Sequence, residues 1–269
     1  MQKRIVVSFT VFLLSLSIAA ALTMIYIHPT RKADIAIYAG RGTWEDSIRA
    51  SQEMFGWMNY TVELVSAESI NDNGLEGFRI LCVPGGNMLE YSEDISTKGK
   101  ENIRSFISEG GGYIGICGGA YFASERVFWR GSQLSMAPLD LFAGIAAGPI
   151  DEIMPYPNYA MCNVSIINHS HPITQFEPDS ETMLYYGGPA LIPNEDADVT
   201  VLGIYDVGNQ AAIVAFHYGS GNVFLIGTHP EIEENNSRDE VTFADEFDDA
   251  GSDWVLMHNA VSWCVMKQT

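Results

Sequence analysis

Positive charge is scarce in this sequence. Its 14 Lys and Arg residues stand against 34 Asp and Glu residues, which leaves a formal net charge of −20 at pH 7. A surface of that sign repels the phosphates of nucleic acids and the headgroups of anionic lipids. We therefore expect no nucleic-acid partner. The sequence also lacks internal repeats, which excludes the repeat architectures.

Cysteine is equally sparse, with four residues in 269. An even number of cysteines in an exported chain can form disulfides, and a Cys162–Cys264 pair stays open. Cys82 and Cys117, however, fall within or at the end of predicted buried strands, which favours one core thiol and one functional thiol. The acidic segment 231–253 lacks the spacing of a calcium-binding EF-hand loop. Nothing in the sequence requires a metal or a nucleotide, and we expect no cofactor.

Charged residues are also missing from residues 5–27, an apolar run long enough to cross a bilayer as a helix of about 20 residues. The run predicts one N-terminal transmembrane helix, with residues 1–32 forming a membrane anchor and its flank. A secretory signal peptide is the alternative, because Ala19-Ala20-Ala21 resembles a cleavage site. The continuation of the run past that site favours the anchor. We expect a single-pass membrane protein with its domain outside the cytoplasm, or a secreted protein after signal cleavage.

Residues 33–269 are predicted to form one domain. Short apolar runs at 34–39, 79–83 and 113–116 are separated by helical patterns and followed by Gly-rich turns, which indicates βαβ units. The predicted fold is α/β and flavodoxin-like, with a doubly wound, mostly parallel sheet. The second half contains more strands and fewer helices, including a hairpin around Gly219-Ser220-Gly221.

The segment around Cys117 has the composition of a nucleophile elbow. Small residues flank the cysteine on both sides, in the order Gly115-Ile116-Cys117-Gly118-Gly119-Ala120. A sharp strand–turn–helix needs small neighbours, and the N-terminus of a helix stabilises a thiolate. The N–H groups of Gly118 and of the Gly85-Gly86 loop are candidate donors to an oxyanion. The alternative is a buried structural thiol, which is a common role of cysteine.

His229 is the candidate base for Cys117. It ends a predicted strand, and Glu231 lies two residues further along, so one pocket could receive both side chains. His229 would then accept the proton of Cys117, and Glu231 would hold the imidazole in one tautomer. On spacing alone, a loop His-Pro-Glu without a partner is the favoured interpretation.

Taken together, these motifs resemble the class I glutamine amidotransferase-like superfamily, in which an elbow cysteine pairs with a late His-x-Glu. From about Asp34 onwards the chain is similar to the N-terminal domain of eukaryotic biotin–protein ligases. The segments that carry the resemblance are 37–43 (IYAGRGT), 83–86 (VPGG), 111–121 (GGYIGICGGAY), 185–189 (YYGGP) and 227–231 (GTHPE). The resemblance implies a triad of Cys117, His229 and Glu231. It also implies that Gly85 and Gly86 form the oxyanion loop.

Two departures from the superfamily pattern bear on function. Members that hydrolyse glutamine carry a Gln after the elbow that helps to bind the substrate, whereas this chain has Gly119-Ala120-Tyr121, so glutaminase activity is not expected. Gly118 stands where the protease and chaperone branch has His, which disfavours that branch. Tyr121 is a candidate substrate-binding residue.

We expect a membrane-anchored hydrolase or acyl-transfer enzyme that acts on a small-molecule or peptide-like amide or related carbonyl. One alternative is a ligand-binding or sensor domain without turnover, with a pocket lined by Tyr121, Tyr185, Tyr186 and Trp129. Another is an adaptor that uses the acidic loop as its contact surface. The sequence does not identify a protein partner.

Overall fold

The chain folds around a β-sheet of thirteen strands within the part that the structure describes. This computed structural model describes residues 33–248 and 251–266. The strands are β1 Ile35–Tyr38, β2 Val62–Val65, β3 Ile80–Val83, β4 Gly112–Ile116, β5 Ser124–Trp129, β6 Ser132–Gln133, β7 Phe142–Gly148, β8 Ala160–Ile166, β9 Ser180–Tyr185, β10 Ala190–Pro193, β11 Thr200–Tyr205, β12 Ala211–Tyr218 and β13 Gly221–Ile226. The helices are α1 Glu45–Trp57, α2 Ala67–Asn71, α3 Met88–Asp94, α4 Thr97–Ser108, α5 Gly118–Ala123 and α6 Trp254–Cys264.

One half of the sheet is parallel. Its strand order is β2-β1-β3-β4-β13, and each neighbouring pair in this order is parallel. Beyond β13 the order continues β12-β10-β7-β5-β6, with mostly antiparallel pairs and a parallel β5–β7 pair. The predicted α/β, flavodoxin-like fold is confirmed, with a sheet that is mixed rather than parallel throughout.

Four strands of the parallel half, β1, β3, β4 and β13, are buried on both faces, which explains why they are apolar runs rather than alternating ones. In β1, Ile35 and Ile37 belong to one core cluster, whereas Ala36 and Tyr38 belong to another. Successive side chains of a strand point to opposite faces. The two clusters are therefore the two sides of the sheet, each covered by helices.

The hairpin predicted around Gly219 is confirmed. β12 and β13 pair antiparallel from Ile213–Ile226 to Tyr218–Gly221. Gly219 in the turn has a φ of +62°, a conformation that glycine adopts without steric cost. The hairpin brings β13 beside β4, and the carboxyl ends of these two parallel strands carry the predicted base and the predicted nucleophile.

The predicted transmembrane helix is not supported, and the fold class is corrected to the α/β domain without it. Crossing a bilayer takes about 20 helical residues. The longest helix among the described residues, α1, has 13. Within residues 33–248 and 251–266, no helix combines the length and the apolar character that a membrane span requires. The predicted span at residues 5–27 lies outside the described residues. The prediction of a single-pass membrane location is wrong on the same finding.

Candidate active site

Cys117 occupies a strained turn between β4 and α5. Its φ of 46° and ψ of −99° lie where a residue with a side chain is rarely found. Such a conformation costs about 1–3 kcal/mol and persists only where the surrounding structure enforces it. Here the Cys117 N–H donates to the carbonyl of Ile226 at 2.9 Å, which ties the turn to the end of β13. Cys117 is buried, with only 6% of the residue exposed.

The glycines after Cys117 are required by close backbone contacts. A Cβ on Gly119 would lie 1.9 Å from the carbonyl oxygen of Val83, and one on Gly118 would lie 2.4 Å from that of Gly86. Neither neighbour is a flexible side chain that could move away. The small residues of the elbow therefore let α5 start directly against the loop that follows β3.

His229 and Glu231 form a buried pair after the end of β13. The Nδ1 atom of His229 lies 2.9 Å from Oε1 of Glu231, and both side chains are at most 1% exposed. Two hydrogen bonds hold the main chain of this segment. In the first, the His229 N–H donates to the carbonyl of Leu184 at 2.9 Å. In the second, the indole Nε1–H of Trp254 donates to the carbonyl of Glu231 at 3.0 Å. The pairing that spacing alone did not favour is thus present.

The electrostatics of the site favour a protonated His229. Burial lowers the pKa of His229, but the attraction of Cys117 and of Glu231 outweighs it and raises the pKa to about 10. Nε2 of His229 is buried, and no atom of the described residues forms a hydrogen bond with it. Cys117 therefore raises the pKa of His229 mainly through a charge interaction.

Ser47 completes the site, and the sequence analysis missed it. This fully buried residue of α1 donates through Oγ to Oε1 of Glu231 at 2.6 Å. The same Oγ accepts from the N–H of Gly85 at 2.9 Å. One hydroxyl thus joins the carboxylate that orients His229 to the loop after β3. The only available signal is the spacing of Ser47 with Ser51, which places two serines on the buried face of an amphipathic helix.

The loop of Gly85 and Gly86 lies against the elbow, but its two N–H groups differ. The Gly85 N–H is engaged by Ser47. An antiparallel bridge joins Gly86 to Thr43, and its hydrogen bonds run from the Trp44 N–H to the Gly85 carbonyl and from the Asn87 N–H to the Gly42 carbonyl. The Gly86 N–H is not part of that bridge. It lies close to Gly118, the other predicted donor.

A cavity of about 490 Å³ opens beside Cys117 and His229. Its wall is rich in aromatic rings, which belong to Trp44, Tyr121, Trp129, Tyr156, Tyr186 and Phe243. The Tyr121 hydroxyl donates to the carbonyl of Gly187 at 3.1 Å, so this ring is held in place. Of the four aromatic residues that were expected to line a pocket, Tyr185 does not: its hydroxyl donates to the Gly188 carbonyl in the core.

The remaining cysteines lie away from this chemistry. Cys82, Cys162 and Cys264 are buried and free, so no Cys162–Cys264 disulfide is present. Burial raises the pKa of each of these three thiols well above its usual range. A thiol in that environment remains protonated and unreactive at neutral pH.

Comparison with known proteins identifies the relatives of this chain. A family model described as biotin–protein ligase, N-terminal, matches residues 33–259. The chain is 28% identical over 233 residues to a biotin–protein ligase from Schizosaccharomyces pombe. The aligned region covers 78% of this chain and 36% of that protein. It is 32% identical over 164 residues to an uncharacterized protein from Chlamydia muridarum, which covers 58% of this chain and 61% of that protein. The chain therefore spans only about a third and three fifths of these relatives' lengths.

Solved structures show the same architecture. A glutamine amidotransferase from Thermotoga maritima superposes with a TM-score of 0.54 at 11% identity, covering 86% of this chain and 98% of that one. At such low identity the likeness is one of fold alone. The family match, in contrast, extends over most of the described residues. The chain therefore belongs to the family of biotin–protein ligase N-terminal domains, on a glutamine amidotransferase-like fold.

Proposed function

We propose that this domain is a hydrolase or acyl-transfer enzyme with Cys117 as nucleophile, His229 as base and Glu231 as orienting carboxylate. The observation that carries the proposal is the buried His229–Glu231 pair at 2.9 Å, which shares one cavity with a cysteine on a strained turn. A carboxylate buried against an imidazole fixes its tautomer and stabilises the imidazolium.

The reaction begins when His229 accepts the proton of the Cys117 thiol and the resulting thiolate attacks the carbonyl carbon of an amide or related group. A carbon–sulfur bond forms, and the carbonyl electron pair moves onto oxygen, which accepts hydrogen bonds from the N–H groups of Gly86 and Gly118. The tetrahedral intermediate then collapses as the bond to the leaving amine breaks, and the His229 imidazolium gives that amine its proton. Water, or an acceptor amine, then attacks the thioester while His229 accepts its proton; the carbon–sulfur bond breaks, the carboxylic acid or new amide leaves, and the Cys117 sulfur recovers the proton from His229.

Gly85 has a supporting part in this scheme. Its role as an oxyanion donor stays a prediction. Its N–H donates to Ser47 Oγ, so that hydroxyl would have to give up this hydrogen bond before the N–H could bind an oxyanion. The hydrogen bond instead holds the loop so that the next N–H, that of Gly86, is positioned beside Gly118.

Selective alkylation tests the proposal. Iodoacetamide at pH 7 should label Cys117 alone, because burial keeps the other three thiols protonated. Peptide mapping by mass spectrometry would locate the label. Cys117→Ala should abolish it and His229→Ala should slow it at least about tenfold, within the range seen for loss of a positioned base. Cys264→Ala is the control and should leave the rate unchanged.

Equal labelling of the four cysteines, or labelling of Cys117 that is indifferent to His229→Ala, would contradict the proposed chemistry. In that case the fold would serve as a ligand-binding domain without turnover, and thermal stabilisation by a ligand would survive Cys117→Ala.

A further inference from the structure

The wall of the cavity beside Cys117 lacks Asp, Glu, Lys and Arg among the described residues. Its polar groups belong to Asn87, to three tyrosines, to the indole N–H groups of two tryptophans and to the reacting pair of Cys117 and His229. The tyrosines are Tyr121, Tyr156 and Tyr186, and the tryptophans are Trp44 and Trp129. The nearby cation Arg130 is outside the lining and donates to the main-chain carbonyl of Tyr156 at 2.9 Å. Away from Cys117 and His229, a ligand that placed a formal charge against this wall would therefore lose its hydration without meeting a side chain of opposite charge, which is unfavourable.

The rings form one connected array along the wall. Trp44 contacts His229 with ring centroids 5.2 Å apart and Phe243 at 4.7 Å. Tyr186 stacks on Tyr156 at 5.4 Å with an angle of 27° between the ring planes. Trp129 continues the series, 5.3 Å from Tyr156. Such walls bind flat apolar groups through burial and ring contacts, and they hold a fixed shape because the rings support each other.

An aromatic wall also attracts organic cations, but the position of His229 disfavours that occupant here. Trp44 lies with its ring centroid 5.2 Å from that of the His229 imidazole, whose pKa is raised, so a cation held on the Trp44 ring would lie beside another positive charge. With its side-chain amide at Cys117, free glutamine would place its ammonium and its carboxylate against the rest of the wall, where neither would meet an Asp, Glu, Lys or Arg side chain among the described residues.

We infer that the substrate of this site is an uncharged amide or ester whose acyl group carries an aromatic ring, and that free glutamine is not accepted. The inference rests on the proposed function for the identity of the reacting carbonyl. The preference for an uncharged aromatic ligand follows separately from the residues of the cavity wall. The cavity volume of about 490 Å³ is within the range that holds small organic ligands.

Binding to the full chain carrying Cys117→Ala tests the inference without requiring turnover. Saturation-transfer NMR and isothermal calorimetry would compare 3-phenylpropionamide, glutamine and acetylcholine as neutral aromatic, zwitterionic and cationic probes. The aromatic amide should bind at least tenfold more tightly than either of the others. Tyr186→Ala should weaken it by a further tenfold. Tyr218→Ala is the matched control: this partly buried tyrosine lies at the hairpin end of β12, pairs with Gly221 and should leave binding unchanged.

The outcomes separate this inference from the proposed function. Glutamine or acetylcholine binding as tightly as the aromatic amide, or aromatic-amide binding that Tyr186→Ala does not weaken, overturns the inference even if Cys117 is selectively alkylated. Aromatic-amide binding that depends on Tyr186 supports it even if alkylation of Cys117 fails, and in that case only the proposed catalysis is lost. No binding of any of the three probes also overturns it, provided that circular dichroism shows the variants to be folded.

Discussion

Replacing Ser47 with Ala removes one hydroxyl that serves two parts of the site. Its Oγ donates to Oε1 of Glu231 and accepts from the N–H of Gly85, and all of these atoms are buried. After the substitution the carboxylate oxygen retains His229 as partner, and the Gly85 N–H loses its hydroxyl acceptor. The change thus tests whether α1 supports the His229–Glu231 pair and the loop together.

The expected loss of stability follows from these two hydrogen bonds. Leaving a buried polar group without its partner costs about 1–3 kcal/mol, and more when the group is charged. Alanine recovers about 0.5 kcal/mol through its higher helix propensity. The free energy of unfolding should therefore fall by about 2–4 kcal/mol.

Ser51→Ala is the matched control on the same helix. Ser51 is also fully buried, but its Oγ has no hydrogen-bond partner among the described residues. Losing that hydroxyl removes no hydrogen bond, and the helix-propensity gain is the same as at Ser47. The free energy of unfolding of Ser51→Ala should stay within about 1 kcal/mol of the parent protein or rise.

Urea denaturation followed by circular dichroism measures both variants, and the iodoacetamide labelling rate of Cys117 measures the site. We expect Ser47→Ala to slow labelling by roughly ten- to a hundredfold, the effect of a misplaced reacting group, and Ser51→Ala to leave it unchanged. Equal stability of the two variants, or a labelling rate in Ser47→Ala equal to that of the parent, would refute the reasoning.

Two further predictions concern charge and close packing. The pKa of His229 is raised from 6.5 to about 10 on folding, so its protonated form stabilises the protein fully below pH 6.5 and that contribution is lost as the pH rises from 6.5 to about 10. The stability advantage over His229→Gln should shrink across that range in urea denaturation at pH 6, 8 and 10, and a constant difference would speak against it. Gly119→Ala should destabilise the fold by about 3 kcal/mol or more, because its Cβ would lie 1.9 Å from the Val83 carbonyl oxygen. The control Gly56→Ala, a helical position with open space around it, should stabilise by up to about 1 kcal/mol, and similar effects at both glycines would refute this account.

Local patterns of the sequence determined much of the fold and part of the site. The alternation of apolar strands with helices, the glycines after Cys117 and the Gly-rich turn at Gly219 each describe a few neighbouring residues. Their structural consequence is local, so the elbow, α5 and the β12–β13 hairpin could be predicted. The His229–Glu231 pair could also be proposed, but from the resemblance of the motifs and their order to the glutamine amidotransferase-like superfamily rather than from the spacing of the two residues.

The antiparallel extension of the sheet, the support from Ser47 and the form of the cavity were decided by the tertiary structure alone. Ser47 is separated by 184 residues from Glu231 and by 38 from Gly85. It reaches both because the start of α1 is held against the loop after β3, where the Trp44 N–H donates to the Gly85 carbonyl at 2.9 Å. The cavity likewise gathers Trp44, Tyr156 and Phe243 from distant loops. Hydrophobic periodicity specifies which face of an element is buried but not which remote element covers it. The sequence alone therefore indicated a nucleophile and its base. Packing between remote elements decided that Ser47 supports them and that aromatic side chains line the cavity beside them.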